Sequence, residues 1–206
     1  MKPCASNVRL LLSLVCAHIL LYLTFEKTSV FWYLYTASML FCVSFAIGRG
    51  KLSSNHTKNS LLNIFFGIGS GIVLFALFYL SMQMMDWLHL SSLTKDVTKL
   101  YKIYSPELGF HFIVLFLIII PSEEIFWRGY VQTKISENFR SLIAIPLSVL
   151  MYALPLLYAQ NTALLLAGVF AGLVWSLLFH WKKSLPLVIT SHLVFDLLLI
   201  VVLPLV

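Results

Sequence analysis

Five ionisable side chains stand within runs of the sequence that are otherwise apolar. Glu123, Glu124 and Arg128 belong to one such run, and His192 and Asp196 belong to a later one. Glu124 and Arg128 are four residues apart, as are His192 and Asp196, so each pair shares one face of a helix. Carboxyl groups beside an imidazole suit hydrolysis. A poorly solvated carboxylate can take a proton from water, and the imidazole can stabilise the oxyanion that forms.

These charges are costly if the two runs cross a membrane. A charged residue at the centre of a membrane helix costs about 2.5–3.5 kcal/mol, so the set would cost on the order of 10 kcal/mol in contact with lipid. We therefore expect the five side chains to face inward. Two plainer interpretations stay open: Glu124 and Arg128 form a buried structural salt bridge, and His192 and Asp196 form a hydrogen-bonding pair between helices. Glu123 points about 100° away from Glu124, so Arg128 cannot readily neutralise both carboxylates.

The composition indicates a membrane protein. Of the 206 residues, 60% are hydrophobic and 11% are charged, whereas soluble domains carry about 25% charged residues. This excludes a soluble cytosolic enzyme, a disordered tail and a disulfide-stapled secreted module. The formal net charge of +6 comes from basic residues spread thinly between the apolar runs. We interpret these residues as signals of membrane topology and predict no nucleic-acid partner.

Seven apolar runs are long enough to cross a lipid bilayer as helices, which takes about 17–25 residues. The sequence therefore predicts an all-α fold, a polytopic transmembrane helical bundle of about seven helices, as a single integral membrane domain over residues 1–206. Residues 1–107 would supply three helices and an outer loop or short surface helix, and residues 108–206 the core. The predicted spans are Leu10–Phe25, Ser29–Gly48, Ser60–Met85, Leu108–Gln132, Leu142–Tyr158, Thr162–His180 and Leu185–Val206.

The basic residues are distributed unevenly between the two ends of these spans. Four of the fourteen lie on one side, Lys27, Lys95, Lys99 and Lys102, and ten on the other, Lys2, Arg9, Arg49, Lys51, Lys58, Arg128, Lys134, Arg140, Lys182 and Lys183. The positive-inside rule then predicts a cytoplasmic N-terminus in a multi-pass membrane protein. The short, compact chain is typical of a protein of a bacterial plasma membrane. Glu123 lies about nine residues, roughly 14 Å, before the predicted inner end of its helix, and His192 about 10 Å along its own. Both are predicted to meet in the cytoplasmic half of the membrane.

Two motifs resemble those of a known family. Glu123-Glu124-x-x-x-Arg128 matches the EExxxR signature of the CAAX protease and bacteriocin-processing (CPBP) family, and His192-x-x-x-Asp196 is similar to its His-x-x-x-Asn/Asp motif. This family of intramembrane proteases includes the type II CAAX prenyl endopeptidase. The resemblance covers roughly residues 108–206, and the first three helices match only as generic spans.

The resemblance implies a role for each motif residue. Glu123 would activate water, Glu124 would support the site as a second acid, and Arg128 would hold the carboxylates in place. His192 and Asp196 would contact the oxyanion or the substrate. The resemblance implies no cofactor and no firmly established metal, and the HExxH zinc motif is absent from the sequence.

The sequence departs from the family at a third motif, FxxxH, in the helix after EExxxR. Tyr152 stands where the family has phenylalanine, and Leu156 occupies the position of the histidine that helps the first glutamate activate water. His18, His111 and His180 are weak substitutes for it.

Three functions follow as alternatives. The first is an intramembrane endopeptidase that cleaves a membrane-associated protein or peptide, by CAAX-type or bacteriocin or leader processing. The second is a non-catalytic relative acting as a bacteriocin-immunity or scaffold protein. The third is a proton-coupled transporter, which no inverted repeat supports.

The remaining motifs favour packing. Gly67-xxx-Gly71 and Gly168-xxx-Gly172 have the spacing that lets two membrane helices approach closely. Three cysteines, two of them in predicted spans, argue against a disulfide framework and a cysteine metal site. Trp127 lies one turn after Glu123 and is expected either to form an apolar wall of the site or simply to pack.

Overall fold

The computed structural model of the chain describes residues 3–47 and 60–205, with side chains from Val8 and Leu61 onward in the two ranges. Within these ranges the chain forms eight helices and no strand. We number them α1 Pro3–Glu26, α2 Phe31–Ile47, α3 Ser60–Trp87, α4 Ser91–Tyr104, α5 Gly109–Ser136, α6 Ser141–Ala159, α7 Thr162–Lys182 and α8 Leu185–Val202.

Seven of these helices, all except α4, contain a segment long and apolar enough to cross a membrane. Their outer surfaces are strongly apolar: Leu61, Phe65 and Leu117 are 73%, 69% and 72% exposed. So many large exposed apolar side chains require a lipid environment. The predicted fold class, an all-α polytopic transmembrane bundle of seven spans, is confirmed.

Five of the ten basic residues assigned to the predicted cytoplasmic side have no described position at a helix end. Lys2, Arg49, Lys51 and Lys58 of the predicted cytoplasmic side lie outside the described residues. Arg128 does not mark a helix end, because it is 1% exposed and lies well inside α5. Its charge is neutralised within the bundle and carries no information on topology.

Glycines bring α3 and α8 into close contact. A Cβ atom added to Gly67 would lie 2.7 Å from the backbone oxygen of Leu187, and one added to Gly71 would lie 2.6 Å from that of Ser191. The space beside Gly69 is open, with nothing within 4 Å. The predicted packing role of Gly67-xxx-Gly71 is therefore confirmed, and it presses α3 against the part of α8 that carries His192.

Replacing Gly71 with alanine is expected to lower the free energy of unfolding by about 1–3 kcal/mol, because the added methyl group must push apart two backbones. Gly69→Ala, on the same helix with open space around it, is the matched control and should be neutral or slightly stabilising. Thermal unfolding of the purified variants in detergent measures the difference. Equal midpoints for the two variants would contradict the close α3–α8 approach.

Helix α5 is irregular around the paired glutamates. Pro121 stands inside it and has no N–H to continue the helical hydrogen bonds. The turns on both sides are π-helical, over Leu115–Ile119 and Ile125–Gln132. Wide turns of this kind are rare and are frequent at functional sites. A π-helical turn holds more residues than an α-helical turn. The side chains after Glu124 therefore point in different directions from those expected of a regular α-helix.

Helix α4 crosses one end of the bundle. The side-chain amide of Asn161 donates to the backbone oxygen of Asp96 (2.9 Å) and the backbone N–H of Thr162 donates to the Asp96 carboxylate (3.1 Å), which ties α4 to the start of α7. The Tyr101 hydroxyl donates to the Leu199 carbonyl (2.6 Å), which ties it to α8. Burial raises the pKa of Tyr101, so this phenol stays a neutral donor.

Candidate active site

Helices α5 and α8 bring the two predicted motifs together near the middle of the bundle. Nδ1 of His192 lies 2.8 Å from Oε1 of Glu124, and Nε2 lies 3.9 Å from Oε2 of Glu123. Nε2 also lies 3.6 Å from Oδ2 of Asp196. The expected convergence of the motifs is confirmed as geometry, while the catalytic role of each residue stays a prediction.

The predicted end of the helix that carries Glu123 lies too early in the chain. Helix α5 does not end at Gln132 but continues to Ser136, and it starts at Gly109. Glu123 therefore lies 13 residues before the end of α5 rather than about nine, and its depth in the membrane stays a prediction. We predicted that the helix ends with the apolar run. Its backbone hydrogen bonds continue beyond that run, into residues where the hydropathy falls.

Glu124 and Arg128 form the fully buried part of the cluster. Oε1 of Glu124 accepts hydrogen bonds from Arg128 NH1 (3.1 Å), and Nδ1 of His192 lies within hydrogen-bonding distance of the same oxygen. Arg128 also donates to the backbone oxygen of Gly172 (3.4 Å), and its guanidinium lies 4.4 Å from the centre of the Tyr152 ring. The structural salt bridge that the sequence left open is thus present, and it also holds the imidazole.

Glu123 has a different partner, which the sequence did not reveal. The Tyr35 hydroxyl of α2 donates a hydrogen bond to Oε1 of Glu123. The two residues are 88 positions apart, and Tyr35 stands in an aromatic run that reads as an ordinary span. The resemblance implied that Arg128 holds both carboxylates; in the structure Arg128 bonds Glu124, and Tyr35 positions Glu123.

The ring of His192 is fixed from a second side by Trp175. The two rings stack with centroids 3.8 Å apart and an angle of 22° between their planes. Trp175 Nε1 donates to Ser191 Oγ (3.3 Å), which also lies 3.0 Å from Ser70 Oγ of α3. With Nδ1 on Glu124 and one face on Trp175, the imidazole can present only Nε2 to the space between Glu123 and Asp196.

Trp127 does not form the predicted wall of the site. It is 3% exposed and packs edge-on against Phe126 and Tyr152 in the core. The π-helical turn after Glu124 removes the simple one-turn relation between Trp127 and Glu123 on which the expectation rested. The plainer interpretation, packing, is the one observed.

A cavity of about 260 Å³ adjoins the cluster. Glu123 and Asp196 supply its carboxyl groups and His192 its imidazole, and most of the remaining lining is aromatic or aliphatic. The side chain of Asp196 is 15% exposed, compared with 6% for His192 and 8% for Glu123. Leu156 also lines the cavity, so the position of the family histidine faces the same space with an apolar side chain.

Two other histidines lie away from the cluster. Nδ1 of His18 lies 3.0 Å from the Tyr158 hydroxyl, and His111 stacks on Trp32 with ring centroids 5.1 Å apart. Neither contributes to the cluster, as expected. Among the described residues, no group of three or more His, Cys, Asp or Glu side chains is placed to bind a metal ion. Cys16 and Cys42 are free thiols.

A comparison with protein-family models gives one match. The model described as type II CAAX prenyl endopeptidase Rce1-like matches residues 105–198. This range contains both motifs, from the start of α5 to most of α8, and excludes Tyr35. Searches of curated proteins and of solved structures found no match. The match supports the resemblance carried by the two motifs: over residues 105–198, a little under half of the chain, the sequence is similar to the CAAX protease and bacteriocin-processing family.

Proposed function

We propose that this chain is an intramembrane endopeptidase that hydrolyses a peptide bond of a membrane-associated protein or peptide with water activated by Glu123. One observation carries the proposal. Oε2 of Glu123 and Oδ2 of Asp196 lie 3.9 and 3.6 Å from Nε2 of His192, around a point that borders the cavity. These separations leave the three groups free to contact a water molecule and a substrate carbonyl rather than only one another.

The reaction follows from these positions. Glu123 takes one proton from water as the water oxygen bonds to the carbonyl carbon, and the carbonyl oxygen becomes an oxyanion. A protonated His192 keeps Nδ1–H on Glu124 and donates Nε2–H to that oxyanion. As the C–N bond breaks, Glu123 returns its proton to the leaving nitrogen. Asp196, next to Nε2, favours the protonated imidazole on which this step depends.

Tyr35 orients the base in this scheme. Tyr35→Phe should lower kcat for peptide hydrolysis by about 10-fold or more with little change in KM, because a hydrogen bond to a charged group contributes roughly 1.5–3 kcal/mol. Tyr33→Phe is the matched control, since Tyr33 lies on the same helix and is 58% exposed. Steady-state rates of the two variants test the role. Identical rates would contradict the assignment of Tyr35 as a positioning residue.

Leu156 favours a second candidate function. It places an apolar side chain in the cavity where the family has its histidine. A relative without that histidine could bind a membrane peptide without cleaving it, as a bacteriocin-immunity or scaffold protein would. The two candidates differ in whether the native cavity can hydrolyse a peptide at all.

A direct comparison separates them. The wild type, His192→Ala and Leu156→His are incubated in detergent with a library of apolar peptides, and products are identified by mass spectrometry. The endopeptidase proposal expects cleavage by the wild type and none by His192→Ala. Cleavage by Leu156→His alone would support the non-catalytic relative. If neither the wild type nor either variant cleaves a peptide, the protease proposal is overturned.

A further inference from the structure

The two residues of α6 that depart from the family motif pack against two glycines of α7. A Cβ atom added to Gly168 would lie 2.1 Å from Cδ1 of Leu156, and one added to Gly172 would lie 2.7 Å from Cδ1 of Tyr152. The close packing expected of Gly168-xxx-Gly172 is thus between the glycines and two side chains of α6. The ring of Tyr152 occupies space that exists only because position 172 has no side chain.

The ring of Tyr152 is held from other sides as well. The guanidinium of Arg128 lies 4.4 Å from its centre, and Trp127 meets it edge-on with ring centroids 5.7 Å apart. The same guanidinium lies 5.3 Å from the centre of the Trp175 ring, on which His192 stacks. Tyr152 and the stacked Trp175–His192 pair therefore border the same part of the site.

Within the described part of the chain, the Tyr152 hydroxyl forms no hydrogen bond. Two other tyrosines that line the cavity use their hydroxyls inside the protein: Tyr35 donates to Glu123, and Tyr101 donates to the Leu199 carbonyl. The fixed ring of Tyr152 thus carries a donor that the protein itself does not use.

This hydroxyl borders the cavity. The hydroxyl of Tyr130 is enclosed in the core without a partner, whereas that of Tyr152 retains exposed surface. Tyr152 lines the cavity, and it interacts electrostatically with Glu123 and Asp196, which line the same cavity. The hydroxyl is therefore placed to meet whatever the cavity binds.

The chemistry of the site indicates which group the hydroxyl would bind. A phenol has one O–H donor, and leaving it without an acceptor when a ligand displaces water is costly. The carboxylate of Glu123 already has partners, because Oε1 accepts from Tyr35 and Oε2 faces Nε2 of His192. The acceptor that a peptide brings into an apolar cavity is its carbonyl oxygen.

We propose that the Tyr152 hydroxyl donates a hydrogen bond to the carbonyl oxygen of the scissile peptide bond, as a second donor beside Nε2–H of His192. This role rests on the proposed function. When the water oxygen bonds to the carbonyl carbon, the electron pair of the C=O bond moves to the oxygen, and a hydrogen bond to the resulting anion is stronger. Tyr152 keeps its proton, and Glu123 alone moves the proton of water.

The role would give this chain a polar group one helical turn before Leu156, the position at which the family has its histidine. The two groups would not do the same chemistry. A histidine can share in taking the proton from water, whereas a phenol that keeps its proton stabilises only the negative charge on the carbonyl oxygen.

Tyr152→Phe tests the role because it removes one oxygen atom and keeps the ring that packs on Gly172 and Arg128. It should lower kcat for peptide hydrolysis by about 10²-fold with little change in KM, as expected for a donor that acts in the transition state. Tyr130→Phe is the matched control, because its hydroxyl is also unpartnered but Tyr130 does not line the cavity. It should keep the wild-type kcat. Equal kcat values for the two variants would overturn the proposal.

A binding measurement tests the same contact without cleavage. Two short peptides of leucine and phenylalanine are compared, one with a phosphinate in place of its central amide and one with a methylene-amine group that has no oxygen. Tyr152→Phe should bind the phosphinate peptide about 10-fold or more weakly than the wild type and Tyr130→Phe do, because a hydrogen bond to an anion is lost. Its affinity for the methylene-amine peptide should be unchanged.

Two results of the binding measurement would overturn the proposal. One is equal affinity of the wild type and Tyr152→Phe for the phosphinate peptide. The other is an equal loss of affinity for both peptides, which would show that the hydroxyl only supports packing. Absence of cleavage by the wild type would instead overturn the proposed function, while a selective loss of phosphinate binding would still assign the Tyr152 hydroxyl to an oxygen of the bound peptide.

Discussion

Replacing Glu123 with glutamine is expected to lower the rate of peptide hydrolysis by about 10²–10⁴-fold, the usual loss when a general base is removed. Glutamine has nearly the shape of glutamate and can still accept the hydrogen bond from Tyr35. It cannot take a proton from water. The variant therefore separates the chemistry of the carboxylate from its packing, which an alanine substitution would not do.

The measurement is the initial rate of product formation by purified protein in detergent, together with the thermal unfolding midpoint. Glu107→Gln is the control, because Glu107 is exposed in the connection between α4 and α5. It should keep the wild-type rate. A Glu123→Gln variant that is as active as this control would show that another group activates the water.

The largest effect on stability is expected at Arg128. Arg128→Met should lower the free energy of unfolding by about 3–5 kcal/mol, because it leaves the partner carboxylate of a buried ion pair without its cation. Arg128 and Glu124 have side chains that are 1% and 0% exposed, so water cannot replace the lost interaction. The bond from Arg128 to the Gly172 carbonyl of α7 is lost at the same time.

A double variant distinguishes the effect of the unpaired Glu124 charge from the effect of lost packing around Arg128. Glu124→Gln together with Arg128→Met removes both charges, and it should recover part of the stability that Arg128→Met loses. Arg140→Met, at an exposed position, should change little. Denaturation in detergent compares the four proteins. If Arg128→Met is as stable as Arg140→Met, the ion pair does not support the fold.

The spans could be predicted from hydropathy, because a helix that faces lipid must present apolar side chains and form its backbone hydrogen bonds internally. All seven appear in the structure, with ends that differ by a few residues. The largest consequence arose at α5, where Lys134 and Glu137 form an ion pair beyond the apolar run. Hydropathy does not register a helix that continues through polar residues, so the end of α5 was predicted four residues too early.

The site could be predicted to the extent that charge inside a membrane demands an explanation. Glu123, Glu124 and His192 were conspicuous for that reason. Tyr35 and Trp175 were not, because the chain has nine tyrosines and five tryptophans and an aromatic side chain in a span is ordinary. Their roles depend on contacts between helices that are distant in sequence, which no local spacing reveals.

The most direct test of the central claim is hydrolysis of a peptide by the purified protein in water enriched in oxygen-18. The position of Glu123 beside the cavity predicts that wild-type protein yields a product whose new C-terminal carboxyl group carries one heavy oxygen from water. Glu123→Gln should yield no such product in the same time. No cleavage by the wild type, or equal labelled product from both proteins, would contradict an endopeptidase that works through Glu123.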